Sequence, residues 1–146
     1  MKGKKRQWLW NLLIVLTVIV CVLVFLAHYK NWIRKKPDSI QILSGIYYME
    51  LPFSSMNEVF MVGKIPSLER KNGFSAWEKE KGIFKDSLNE EKLVNVYVDN
   101  LNHQKIRLTY NDSLLVFINL SDSVKTKELY LYLEEKIASQ QIQLNQ

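Results

Sequence analysis

The sequence predicts an α+β chain. One apolar helix at the N-terminus should precede a domain of about seven antiparallel strands, forming a β-sandwich or open barrel closed by an amphipathic C-terminal helix. Three observations predict it. Gln7 to Tyr29 is an uncharged run of 23 residues. Strand-like alternation then recurs between about residues 40 and 120. From about residue 123 to 140 the apolar spacing changes from two to the helical period.

The run reads WLWNLLIVLTVIVCVLVFLA at its centre, with Asn11 and Thr17 its only clearly polar residues before His28. A helix needs about 20 apolar residues to cross ~30 Å of hydrocarbon, and only a helix satisfies its own backbone there. A cleaved secretory signal has an apolar part of about 7–15 residues followed by small residues. Here the run is longer, and Phe25-Leu26-Ala27-His28-Tyr29 has no small-x-small pattern. Residues 7–29 are therefore expected to be a permanent single-pass anchor in the lipid bilayer. Trp8 and Trp10 at one end, and Tyr29 and Trp32 at the other, suit the two aromatic belts of a membrane.

Basic residues flank both ends: Lys2, Lys4, Lys5 and Arg6 before the run, Lys30, Arg34, Lys35 and Lys36 after it. The flanks are nearly balanced. The small N-terminal excess favours an extracytoplasmic domain under the positive-inside rule without deciding it. Cys21, the single cysteine, lies inside the run, so the domain has no disulfide.

The net charge of +5 comes from these flanks. Eight of the 20 Lys and Arg precede Pro37, and none of the 15 Asp and Glu do. The remainder carries 12 basic and 15 acidic residues, a net −3. Nucleic-acid binding needs a basic stripe or patch, so no nucleic-acid partner is expected. The flanks themselves fix topology and lie near lipid headgroups.

Residues 37–146 are long enough for one domain, with residues 1–36 read as anchor and flanks. Strands are expected at Ile40–Leu43, Ile46–Leu51, Glu58–Val62, Gly82–Lys85, Leu93–Val98, Lys105–Tyr110 and Leu114–Leu120. In the last segment Thr126, Leu129, Tyr130, Leu133 and Ile137 form a helical stripe, with Glu128, Glu134 and Glu135 off it. Ser121, Asp122 and Ser123 offer N-cap oxygens. Leu131 and Tyr132 lie off the stripe, as contact surface or as ordinary scattered apolars.

Ser44 to Pro52, Lys64 to Phe74, Gly82-Ile83-Phe84 and the Thr126, Leu129, Tyr130, Leu133 set, within about Ile40 to Ile137, together resemble segments of a bacterial PH-domain (pleckstrin-homology-like) family. Ser44-Gly45-Ile46-Tyr47-Tyr48-Met49-Glu50-Leu51-Pro52 is similar to its second strand, and Ser54 to Val59 to its following turn and strand. Lys64-Ile65-Pro66-Ser67-Leu68-Glu69-Arg70-Lys71-Asn72-Gly73-Phe74 is the most specific match, followed by Gly82-Ile83-Phe84. Val96 to Asn100 and Thr126, Leu129, Tyr130 and Leu133 complete the pattern. Ser75 to Lys81 departs from it, being bulkier and more charged than the family's glycine-containing loop. The family often carries two membrane helices, and this chain has one. The resemblance implies a PH-like fold, and a fold does not by itself carry a function.

No catalytic equipment is legible. His103 is the only histidine after the anchor, so a catalytic zinc site of three protein ligands cannot be assembled from His and Cys. Glu90-Glu91 and the Asp99–Asp112 stretch lack calcium-loop spacing, and no Gly-rich phosphate loop follows a strand. No enzyme activity, cofactor, metal or small-molecule substrate is expected. Phosphoinositide recognition by PH folds uses basic residues between the first two strands, and Ser44-Gly45 supplies none. The nearest cations are Lys64, Arg70, Lys71, Lys79, Lys81 and Lys85, interleaved with Glu69, Glu78 and Glu80. Phe74 and Trp77 in this segment are either core lids or exposed anchors.

The expected function is a non-enzymatic, membrane-anchored interaction module that tethers a membrane protein partner or a second copy of itself. Binding would use a strand edge or the groove beside the C-terminal helix. The candidate surface is Lys64, Arg70, Lys71, Asn72, Phe74, Trp77, Lys79 and Lys81. The alternative is recognition of anionic lipid headgroups by the 64–85 loop. A third possibility is that the domain only adds bulk to a larger complex.

Overall fold

A computed structural model describes residues 2–87 and 92–144. Glu90-Glu91 lies outside them. The architecture is α+β: an N-terminal helix α1 (Lys2–Tyr29), nine strands among the described residues, and a C-terminal helix α2 (Ser123–Leu144). The strands are β1 (Asn31–Lys35), β2 (Ser39–Ser44), β3 (Tyr47–Pro52), β4 (Met56–Val62), β5 (Leu68–Ala76), β6 (Lys79–Asp86), β7 (Leu93–Val98), β8 (Lys105–Tyr110) and β9 (Leu114–Asn119). A 3-10 turn, Phe53–Ser55, joins β3 to β4.

Within α1, Arg6–Tyr29 is long and apolar enough to cross a membrane, and none of its apolar window is covered by the rest of the chain. Its 24 residues reach about 36 Å at 1.5 Å each.

Two sheets face each other as a sandwich. The small sheet runs β1-β2-β3 and the large one β4-β8-β9-β7-β6-β5. Ile40, Ile42 and Leu51 of the small sheet pack against Tyr97, Ile106, Leu108, Val116 and Ile118 of the large one. Helix α2 covers the rest of that face and lies against β4, β8 and the 3-10 turn. Leu129, Leu133 and Ile137 enter the same core, with Thr126 almost fully buried beside them. The Asp122 carboxylate caps α2 by accepting from the Val124 amide at 2.8 Å. The expected stripe, N-cap and solvent-facing glutamates are all in place. Tyr132, off the stripe, packs its ring on Phe53 at 5.9 Å, whereas Leu131 is exposed.

The alternation of β7 and β9 builds a second core on the other face of the large sheet. Val94, Val96, Val98, Leu115 and Phe117 point there with Phe84, under Ile65 of the β4–β5 connection and Leu68 at the start of β5.

The sandwich has nine strands where seven were expected. β1 went unseen because Arg34 and Lys35 read as a charged membrane flank, although Asn31 is buried and Ile33 packs on the core. The sheet therefore starts six residues before the Pro37 boundary. β5 went unseen because it is an edge strand: Glu69, Arg70, Lys71 and Asn72 are all exposed. Residues 64–85 are consequently not one loop but a connection and a β-hairpin.

The order is not purely antiparallel either. β9 returns from β8 through the Asn111–Ser113 turn and inserts beside β7, with which it is parallel. Residues 99–104 step over the end of β9 to reach β8. Crossing one strand requires about 10 Å at ~4.8 Å per strand, well within six residues.

Candidate functional site

Only Lys30 separates α1 from β1. The chain leaves the helix and enters a buried polar cluster at its next residue. The Asn31 backbone amide donates to both Asp99 carboxylate oxygens, at 2.8 and 3.1 Å. Its side-chain amide donates to the carbonyls of Tyr97 at 2.6 Å and Asn119 at 2.8 Å. Asn119 in turn accepts from the Asp99 and Asn100 amides and donates to the carbonyls of Asn100 and Gln104. One asparagine thus ties β1 to β7 and β9, and a second shapes the crossover that follows β7.

Lys81 completes the cluster. Its ammonium lies 2.8 Å from Asp99 Oδ1, and the two side chains are 0% and 1% exposed. Burial pulls the ammonium below its ordinary value, and the hydrogen bond and charge of Asp99 act against that. The Ser121 hydroxyl donates to Asp99 Oδ2 at 3.3 Å. Asp99 therefore serves a backbone amide, a hydroxyl and a buried cation. Two fully desolvated oxygens nearby, Asn31 Oδ1 and its cross-strand neighbour Ser44 Oγ, have no protein partner.

The last turn of α1 rests on two β-turns. At the two-residue turn between β2 and β3, Gly45 has φ +65°, and the His28 ring fills the space where a Cβ would sit, 2.5 Å from Cδ2. At the β5–β6 turn, Trp77 has φ +52° and sets its ring edge-on to Phe25, centroids 6.5 Å apart. Between these, Phe74 meets His28 at 5.5 Å, and the Lys79 ammonium lies 4.8 Å over the Tyr29 ring. The hairpin can twist this way because Gly73 and Gly82 are cross-strand partners. A Cβ on Gly82 would fall 2.3 Å from the Asn72 carbonyl oxygen.

The eight candidate residues therefore do not form one surface. Phe74, Trp77 and Lys79 gather at the end of α1. Arg70, Lys71 and Asn72 lie on the free edge of β5, where the register shifts between Arg70 and Asn72; Asn72 accepts from the Tyr47 hydroxyl at 3.3 Å. Lys64 borders a cleft of about 360 Å³ with Pro66, Leu68, Glu80 and Lys105. Lys81, expected among the exposed cations, is instead inside on Asp99. The Lys105 ammonium, also buried, donates to the Gly63 carbonyl at 2.8 Å and the Leu101 carbonyl at 2.5 Å. His103 is half-buried in the β7–β8 crossover, with Nδ1 lacking a protein partner.

Sequence reasoning missed the outer face of the small sheet. Trp32 pairs with Leu43, and Leu43 with Tyr48, so the three side chains make one row across β1, β2 and β3. They are 54%, 44% and 58% exposed. The next row is Arg34, Gln41 and Glu50. Glu50 accepts from Lys36 and Ser39 at 2.9 Å, Tyr48 at 3.0 Å and Gln41 at 3.1 Å. Hydrogen bonds led by that from Lys36 hold its carboxyl at about 2, against an ordinary 4.5. This polar row fixes the Tyr48 hydroxyl and with it the apolar row. The available signal was the alternation in NWIRK, which puts Trp32 opposite to Asn31 and Ile33.

Among the described residues, no three His, Cys, Asp or Glu side chains come together as metal ligands would. Comparison with protein-family models, curated proteins and solved structures finds no match to this chain.

Proposed function

We propose that this chain is a single-pass membrane protein whose domain is a PH-like interaction module, tethering a membrane protein partner or a second copy of itself. The observation that carries the reading is the exposed Trp32–Leu43–Tyr48 row. Large aromatic side chains held in place by neighbours are what protein interfaces use as anchors. This row begins three residues after the end of α1. An uncovered apolar helix 24 residues long supports the anchor, and confinement to a membrane raises the effective concentration of the row toward neighbours there. The two-sheet core closed by a C-terminal helix supports the PH-like description, and the parallel β7–β9 pair is a departure from its antiparallel order. The charge balance of the flanks favours an extracytoplasmic domain.

Headgroup recognition by residues 64–85 has less support. Its cations point to separate places, and Lys81 is already neutralised by Asp99.

A photo-crosslinker at Leu43 in the full chain, irradiated in native membranes, tests the proposal. The expected product is a discrete protein adduct, at twice the chain's mass for self-association. The pair Trp32→Ser and Tyr48→Ser should abolish it. Adducts to lipid alone, or a protein adduct indifferent to that pair, would overturn the reading.

A further inference from the structure

Trp77 and Ile46 are the two most exposed large apolar side chains among the described residues, at 82% and 73%. Both exceed the exposed large apolar side chains of α1, which run from 49% to 65%. They belong to different hairpins, yet both hairpins place their turns against the C-terminal turn of α1. Gly45, beside Ile46, touches His28, and Trp77 touches Phe25.

The height of these contacts decides what covers them. Phe25 lies four residues before Tyr29, about 6 Å back along the helix axis toward the apolar run. Trp77 therefore reaches past the end of α1 and stands beside its apolar surface. Lys79, two residues on, sits lower, over Tyr29. An indole next to the apolar segment with an ammonium just outside it is the order of a bilayer interface, where Trp lies at headgroup level and Lys reaches the phosphates.

We propose that the β5–β6 turn, Ala76 to Lys79, together with Ile46, is a second membrane contact: Trp77 and Ile46 enter the interface of the leaflet from which α1 emerges. The inference rests on α1 spanning the membrane. The occupant is lipid because the surface is continuous with α1, and its contacts differ in kind from charge recognition by the basic residues of the 64–85 segment. The domain then stands on three points: the helix, the β2–β3 turn and the β5–β6 turn.

Depth-dependent fluorescence quenching tests this on the full chain in phosphatidylcholine vesicles. Trp8→Phe, Trp10→Phe and Trp32→Phe leave Trp77 as the single indole. All three replaced rings are more than half exposed, so the fold is retained. Emission from Trp77 should be blue-shifted, resistant to aqueous acrylamide, and quenched more by lipid brominated near the headgroup than by lipid brominated deep in the chain. Water-like emission without bromolipid quenching overturns the proposal. So does shielding that disappears on dilution with excess lipid, which would mean a second copy covers the ring. A chain keeping only Trp10 reports the helix separately. If Trp10 is quenched while Trp77 is in water, only the second contact fails. If Trp10 is also unquenched and alkaline carbonate extracts the chain, the spanning reading fails with it.

Discussion

Replacing Asp99 with Asn keeps the shape of the side chain and removes its charge. The Lys81 ammonium, whose side chain is 0% exposed, is then left without an anion. Breaking a buried pair from one side costs about 3–5 kcal/mol, because the remaining charge stays desolvated. The new amide oxygen still accepts from Asn31, so the cost falls on Lys81 and not on the backbone contact. Lys81→Met should cost less. There Asp99 keeps the Asn31 amide and the Ser121 hydroxyl as donors. The double variant carries neither charge, and a matched apolar replacement of a buried pair is often neutral or stabilising. It should therefore be more stable than Asp99→Asn alone, with a coupling of about 2–3 kcal/mol between the two sites. Urea unfolding of the full chain in micelles, followed by near-ultraviolet circular dichroism, measures all four corners of the cycle. Hydrogen exchange at the Asn31 amide reports the junction itself. Additive losses, or a cost for Asp99→Asn below about 1 kcal/mol, would refute the assignment of a buried ion pair.

Two other perturbations probe the surroundings. Gly45→Ala introduces a Cβ at φ +65° and against His28, and should cost on the order of 1–3 kcal/mol. Adding His28→Ala should recover the steric part and leave the backbone part, so unfolding midpoints of the three variants separate the two causes. Glu50 has a folded value of about 2 against the ordinary 4.5 of the unfolded chain, so its contribution is complete above 4.5 and lost as pH falls toward about 2. Glu50→Gln should flatten the acid limb of the stability curve within that window, read as the difference in urea midpoint between the two proteins at each pH.

Much of the fold was legible because it is encoded locally. The apolar run, the strands at 93–98, 105–110 and 114–119, and the stripe of α2 each carry their own period within a dozen residues. The missing strands fail that test for physical reasons. β5 pairs on one side only, so four successive polar residues can face water. β1 is short and follows directly on the apolar run, so its two cations resemble a membrane flank. The parallel β7–β9 pairing is a relation between segments, and no local pattern reports it.

The candidate site was legible in part. Phe74 and Trp77 stood out as aromatics in a polar segment; Phe74 is half-buried against His28 of α1, while Trp77 is exposed. Lys81 misled because alternation says which way a strand residue points but not whether that side is covered. Its partner Asp99 was weighed as part of the Asp99–Asp112 stretch, which lacks calcium-loop spacing. Asn31, which joins the two regions, sat in the flank of the apolar run.

The single-residue passage from α1 to β1 couples azimuth as well as position. A helix turns about 100° per residue, and Asn31 is fastened on both sides as soon as the helix ends. The heading of the Trp32 row around the axis of α1 is thus set by the phase of the helix. Any neighbour that grips one side of α1 also aims that row, as turning a spindle turns the blade fixed to it.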